Sequence, residues 1–155
     1  MNAQALLDRY RQAKLRIATA ESCTGGMVAA RLTDIPGSSD VVERGFVTYS
    51  NEAKTEMLGV PTALLQQYGA VSAQVARSMA EGALAHARAD VAVSITGIAG
   101  PGGATPGKPV GLVYLAIARR GAETKVERQQ FAGDRQAVRE GAAVRALELL
   151  DSAIS

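Results

Sequence analysis

Three short polar clusters carry the side chains that could do chemistry in this chain. The first, Ala20-Glu21-Ser22-Cys23-Thr24-Gly25-Gly26, sets two hydroxyls, a thiol and two glycines directly after the apolar run Ile17 to Ala20. The second, Thr48-Tyr49-Ser50-Asn51-Glu52-Ala53-Lys54, and the third, Ser94-Ile95-Thr96-Gly97-Ile98-Ala99-Gly100, follow apolar, strand-like runs in the same way. A strand that ends like this delivers a nucleophile-capable side chain to the rim of a sheet. It also turns the free N–H groups of a helix start toward whatever that side chain attacks. Ligands of open α/β sheets bind beyond the carboxyl ends of the strands, so three such clusters suggest a single site.

A serine or threonine attacks poorly unless a base removes its proton. The single histidine, His86, lies in an Ala-rich helical stretch far from the clusters, which argues against a Ser-His-Asp triad. Ser22 also lacks the Gly-x-Ser-x-Gly elbow. The remaining common base is lysine. Lys54 falls in the first turn of a short helix, where the dipole disfavours a cation by roughly 0.3–1 kcal/mol. Desolvation there would lower its pKa further toward that of a general base. Tyr49 is placed to hand on a proton or to hold the amine. The N–H groups of Gly25 and Gly26, with that of Cys23 or Thr24, are candidates to stabilise an oxyanion, and the glycines let a substrate approach the backbone closely. Cys23 competes as nucleophile, because a thiol at a helix start can have a lowered pKa, although a lone cysteine is more often a small buried hydrophobe. Neighbours in an extended segment face opposite ways, so only one of Ser22 and Cys23 is expected to face a substrate. The structural alternatives are that Ser22 and Thr24 are helix caps and that Lys54 is solvated, paired with Glu52 or Glu56.

Around the third cluster, Thr96 and the N–H groups near Gly97 and Gly100 are candidates to hold a phosphate or ribose, with Ser72 and Arg135 as further candidates. The run Gly102 to Lys108 mimics Gly-x-x-x-x-Gly-Lys, but Pro109 stands in the Ser/Thr position and a strand follows instead of a helix. A P-loop needs both missing features, so nucleotide triphosphate hydrolysis is excluded and a soluble surface loop is the other reading.

The elements that must position these clusters follow from periodicity and punctuation. Helices are expected over 3–14, with Ala5, Leu6, Tyr10 and Ala13 on one side, and from Thr24 to about Leu32. Further helices should run from Ser50 or Asn51 to near Gly59, from Pro61 to Gly69, from Ser72 to about Ala87, and onward from an Asp134 cap. In the last two, Ala76, Met79, Ala80, Ala83 and Leu84, and then Val138, Ala142, Ala146, Leu149 and Leu150, should face the core. Strands are expected over Arg16–Ala20, Gly45–Tyr49, Asp90–Thr96, Gly111–Ala118 and Thr124–Phe131, with a Gly/Pro loop from Gly97 to Pro109. A tight turn at Arg120-Gly121-Ala122 makes the last two an antiparallel hairpin. The fold class is therefore α/β, a three-layer α/β/α single domain over 1–155 with a mixed sheet of about five strands.

Bulk composition narrows the function. The 155 residues are 47% hydrophobic and 21% charged, enough to bury a core and too apolar for disorder. Lys and Arg total 17 against 15 acidic residues, scattered and without aromatic platforms, so no nucleic-acid partner is expected. One cysteine and one histidine supply neither a disulfide framework nor a Cys/His zinc site. No run reaches a membrane span and the N-terminus lacks a signal-peptide core, so a cytoplasmic protein without a membrane partner is expected. An Ala-rich helical surface leaves room for a homo-oligomer.

Taken together, these strings resemble one family over nearly the whole chain. Ala20 to Gly26 and Glu43 to Lys54 match its first two signatures. Gly69-Ala70-Val71-Ser72, Ser94 to Gly103, Lys108-Pro109-Val110-Gly111 and Gly133-Asp134-Arg135 complete the set in order. The sequence is similar to the CinA C-terminal domain family, whose stand-alone members are nicotinamide-nucleotide amidases. The resemblance implies hydrolysis of the carboxamide of nicotinamide mononucleotide to nicotinate mononucleotide and ammonia, in pyridine-nucleotide salvage. It implies a Ser/Lys mechanism with no metal or cofactor, in which Ser22 is the nucleophile, Lys54 the base and Tyr49 a supporting residue. Activity housed in the extra N-terminal domain of longer CinA proteins is not carried over. A non-catalytic module that senses a mononucleotide is the alternative, and a nucleic-acid or competence role rests on the family's name alone.

Overall fold

The computed structural model describes residues 2–155, and its sheet brings the three clusters to one edge. Strand β1 (Ile17–Glu21) is buried along its whole length, as its apolar sequence requires. It is flanked in parallel by β2 (Val42–Val47) and β3 (Val91–Gly97). Strand β3 pairs antiparallel with β4 (Leu112–Arg119), and β4 with β5 (Lys125–Gln130), giving the order β2-β1-β3-β4-β5. Because β1, β2 and β3 run the same way, their carboxyl ends lie together, with Glu21 opposite both Val47 and Ile95. Past those ends the backbone still pairs: Ser22 N–H donates to the Ile95 carbonyl at 3.0 Å and Thr48 N–H to that of Glu21 at 2.9 Å.

The helices divide between the two faces. On one, α1 (Ala3–Ala13), α2 (Met27–Thr33) and α6 (Arg135–Ser152) pack on a layer of large strand residues that includes Ile17, Val93, Ile95 and Leu115. On the other, α3 (Asn51–Leu58), α4 (Thr62–Tyr68) and α5 (Ala73–Ala85) pack on Ala18, Ala20, Ala92, Ala116 and Ala118. An alanine surface lets α5 lie close to the sheet, close enough for Ser94 Oγ to donate to the Ala76 carbonyl at 2.6 Å. The expected α/β/α layering, mixed sheet, hairpin and core stripes of α5 and α6 are all present.

Helix α5 in turn holds α3, the element that carries Lys54. A Cβ on Gly82 would collide with the Leu58 carbonyl at the end of α3. Gly82→Ala is therefore expected to destabilise the fold by about 1–3 kcal/mol despite the better helix propensity of alanine, as a shift in urea midpoint would show. An unchanged or raised midpoint would mean that α3 is not seated by this contact.

Several boundaries differ from the sequence expectation. On α1 the buried side is Leu6, Leu7 and Tyr10, while Ala5 and Ala13 are exposed. Strand β2 lies earlier than expected, ending at Val47, because Thr48 and Tyr49 turn away to supply carbonyls to the site. Helix α2 begins at Met27 and not at Thr24, because Gly25 (φ +60°) and Gly26 (φ +107°) adopt left-handed backbone that a helix cannot continue from. Among the described residues, no helix is long and apolar enough to cross a membrane.

Candidate active site

The centre of the site is a buried amine facing a serine. Ser50 caps α3, its hydroxyl accepting from Ala53 N–H at 3.0 Å, and so starts the helix where Lys54 points back toward β1. Lys54 is 1% exposed, which rules out the solvated pairing with Glu52 or Glu56. Its Nζ lies 3.1 Å from Ser22 Oγ, 3.0 Å from the Thr48 carbonyl and 3.4 Å from the Tyr49 carbonyl. A neutral amine has two N–H donors and one lone pair. With both donors directed to the two carbonyls, the lone pair faces the Ser22 hydroxyl, the arrangement of a base poised to take its proton. Burial holds the Lys54 pKa below the ordinary lysine value, opposed in part by the nearby Cys23 thiol.

Above this pair is a cleft of about 300 Å³, at the lower end of small-ligand sites. Ser22, Cys23, Tyr49, Lys54, Thr96, Gly97, Gly100 and Arg135 all line it, so the sheet edge does gather the three clusters. Thr96 Oγ1 donates to the Ala70 carbonyl at 2.8 Å and keeps its acceptor side free. At the mouth Arg135 spans two elements, donating to the Gly100 carbonyl at 2.8 Å and to the Tyr49 hydroxyl at 3.0 Å. The Tyr49 phenol is thus held by Arg135, and what steadies the amine is the Tyr49 backbone carbonyl. Ser72 does not line the cleft: its hydroxyl caps α5 at Val75 N–H and donates to the Gly69 carbonyl, a structural use of the side chain. No group of three or more His, Cys, Asp or Glu side chains able to hold a metal occurs among the described residues.

The family model of the CinA C-terminal domain matches residues 2–154. The chain belongs to the CinA C-terminal domain family. Among relatives, a CinA-like protein of Akkermansia muciniphila is 55% identical over 150 residues, covering 96% of this chain and 36% of that protein. The chain therefore spans about a third of the length of the first curated relatives it matches. A nicotinamide-nucleotide amidohydrolase PncC of Enterobacter agglomerans is 55% identical over 132 residues, covering 85% of this chain and 80% of that protein. Among solved structures, a competence/damage inducible protein from Agrobacterium tumefaciens superposes with a TM-score of 0.95 at 48% identity, covering 98% of this chain and 92% of that one.

Within this CinA domain, the turn after β1 differs in detail from the sequence expectation. Gly25 N–H is already used, donating to the Ser22 carbonyl at 3.0 Å. Among the described residues, the N–H groups of Cys23, Thr24 and Gly26 donate to no protein acceptor, but Thr24 is fully buried and neither it nor Gly26 lines the cleft, so the Cys23 N–H is the amide left beside Ser22 on the cleft wall. The Thr24 side chain is unavailable to a ligand, being fully buried with its hydroxyl donating to Glu21 at 2.7 Å. Cys23 packs into the core under α6, and burial pushes its thiol up to about 11, leaving it protonated at neutral pH. That favours Ser22 over Cys23 as the attacking group.

Two residues that hold the turn from outside it carry no role in the sequence reading. Glu21, 1% exposed, accepts from Val28 N–H at 3.0 Å and Ala29 N–H at 3.1 Å as well as from Thr24, so a strand residue caps α2 from below. A carboxylate ending an otherwise apolar strand was the signal available. Arg139 donates to the carbonyls of Cys23 and Thr24 from α6, one helical turn after Arg135, and that spacing was also visible in the sequence.

Proposed function

We propose that this domain hydrolyses the carboxamide of nicotinamide mononucleotide, giving nicotinate mononucleotide and ammonia. The observation that carries the reading is the buried Lys54 Nζ at 3.1 Å from Ser22 Oγ on the floor of an open cleft. The 55% identical protein named as a nicotinamide-nucleotide amidohydrolase supports the choice of substrate. Neutral Lys54 takes the Ser22 proton as Oγ attacks the carboxamide carbon. The N–H of Cys23, on the cleft wall beside Ser22, is assigned to the oxyanion that forms. The proton on Lys54 passes to the amide nitrogen, the C–N bond breaks and ammonia leaves an ester on Ser22. Water, deprotonated by the same amine, then attacks the ester; Ser22 Oγ leaves and is reprotonated, and the nicotinate product is released. Arg135, with the backbone around Gly97 and Gly100, is assigned to the phosphate and ribose, with Thr96 accepting from a ribose hydroxyl. Tyr49 closes the mouth, its O–H free to donate to the ligand while its oxygen accepts from Arg135. We place the reaction in cytoplasmic salvage of pyridine nucleotides.

The test is ammonia release from nicotinamide mononucleotide by purified, chelator-treated protein. Stoichiometric ammonia and nicotinate mononucleotide are expected. Tight binding of the nucleotide by calorimetry with no ammonia released would overturn the reading in favour of a sensing module.

A further inference from the structure

We propose that Arg139 is a positioning residue that fixes the Ser22 turn and so aims its Cys23 N–H at the oxyanion, an inference that rests on the Ser22/Lys54 reading above. Its guanidinium reaches from α6 to the backbone immediately after the nucleophile. Nε donates to the Cys23 carbonyl at 3.0 Å and Nη2 to the Thr24 carbonyl at 3.2 Å. Gly25 N–H is consumed by the Ser22 carbonyl and Thr24 is fully buried away from the cleft, so the Cys23 N–H is the amide of the turn that meets the cleft. Both carbonyls that follow this amide in the chain are fixed by one guanidinium, which sets the orientation of the turn that carries it.

The local backbone is shaped around this contact. Gly25 sits at φ +60°, and a Cβ there would stand 3.4 Å from Arg139 Nη2, at the limit of ordinary contact. A larger residue would strain the turn and crowd the guanidinium together. From the opposite side Glu21 holds the Thr24 hydroxyl and the first N–H groups of α2. The turn is gripped at its carbonyls by a cation and at its donors by a carboxylate, so its free amides have little freedom to reorient. Arg135 lies one turn earlier on the same helix but donates at the cleft mouth. The two arginines therefore have separate tasks, Arg135 toward the ligand and Arg139 toward the catalytic backbone.

The experiment compares wild type with Arg139→Gln and Arg139→Lys in two assays, with thermal melts alongside. One is steady-state hydrolysis of nicotinamide mononucleotide. The other is the rate at which a fluorophosphonate labels Ser22, read by intact mass and independent of the natural substrate. The glutamine variant is expected to lose roughly 10- to 100-fold in kcat and in labelling rate, with KM within about threefold, as befits a defect felt in the transition state. The lysine variant, which keeps the cation but not the fork, should fall between. A raised KM with kcat preserved would overturn the proposal and make Arg139 a ligand anchor. Losses no larger than the unfolded fraction seen in the melts would also overturn it, as a purely structural role. Wild type that labels at Ser22 but releases no ammonia would defeat the amidase reading alone, and the labelling rates would then decide the role of Arg139. Folded wild type that does not label would defeat both.

Discussion

Ser22→Ala should fold like wild type and lose at least about a thousandfold of its ammonia release, because no other group replaces the attacking oxygen. The stability cost is small: the change removes one hydroxyl whose partner is the Lys54 amine, and losing a single hydrogen bond of this kind costs about 1 kcal/mol. Two side chains compete for the role of nucleophile, and the variant separates them. Cys23 lies next in sequence, but its thiol is buried among the side chains under α6 and is pushed up to about 11, so little thiolate exists at neutral pH. Cys23→Ala is accordingly expected to stay within about tenfold of wild type, the residual loss coming from looser packing under the turn. If turnover survived Ser22→Ala and vanished in Cys23→Ala, the nucleophile would have to be reassigned to sulfur. The same pair of variants also tests substrate binding: Ser22→Ala should still bind nicotinamide mononucleotide, since it leaves the groups assigned to phosphate and ribose unchanged.

What sequence made legible here was decided by how local each signal is. The cap residues Ser50, Ser72 and Asp134 each accept the N–H that a cap should, and the helices they begin start where expected. Apolar density marked β1 and β3, and their parallel pairing brought Ser22 and Thr96 to one cleft. The misplaced features all depend on contacts between elements distant in sequence. Thr24 reads as a cap because its side chain suits one, yet the capping carboxylate comes from Glu21 in the preceding strand, and two left-handed glycines postpone the helix. Tyr49 reads as a phenol acting on the lysine, but Arg135, 86 positions away, holds that phenol at the mouth, and only the Tyr49 carbonyl meets the amine. Ser72 reads as a site candidate at the end of the Gly69-Ala70-Val71-Ser72 string, and its hydroxyl is engaged at the start of α5. Arg139 offered only its spacing of one helical turn from Arg135. Its meaning arises only when α6 is laid against the turn after β1.

Lys54→Met should abolish turnover by at least about a thousandfold while becoming steadily more stable, relative to wild type, as pH falls. Methionine fills nearly the volume of the lysine stem, so packing beneath the cleft changes little. What is lost is the base, together with the donors to the Thr48 and Tyr49 carbonyls. What is relieved is the cost of a buried ionisable group. In wild type, burial lowers the pKa of folded Lys54 below its unfolded value, so between the two values the unfolded chain holds a proton that the fold does not. Stability of wild type therefore declines as pH drops from the unfolded pKa toward the folded one, and levels off below it. The methionine variant lacks that slope. The difference in melting temperature, variant minus wild type, should thus grow in favour of the variant from pH 10 toward neutrality; a difference that stays constant with pH would mean that the amine is not desolvated in the fold. The wild-type rate should carry the same signature from the other direction, rising with pH as folded Lys54 loses its proton and reaching a plateau once the amine is neutral. A stability difference and a rate profile that turn at the same pH would identify one group as the source of both, a buried lysine whose energetic cost to the fold is the condition for its use as a base.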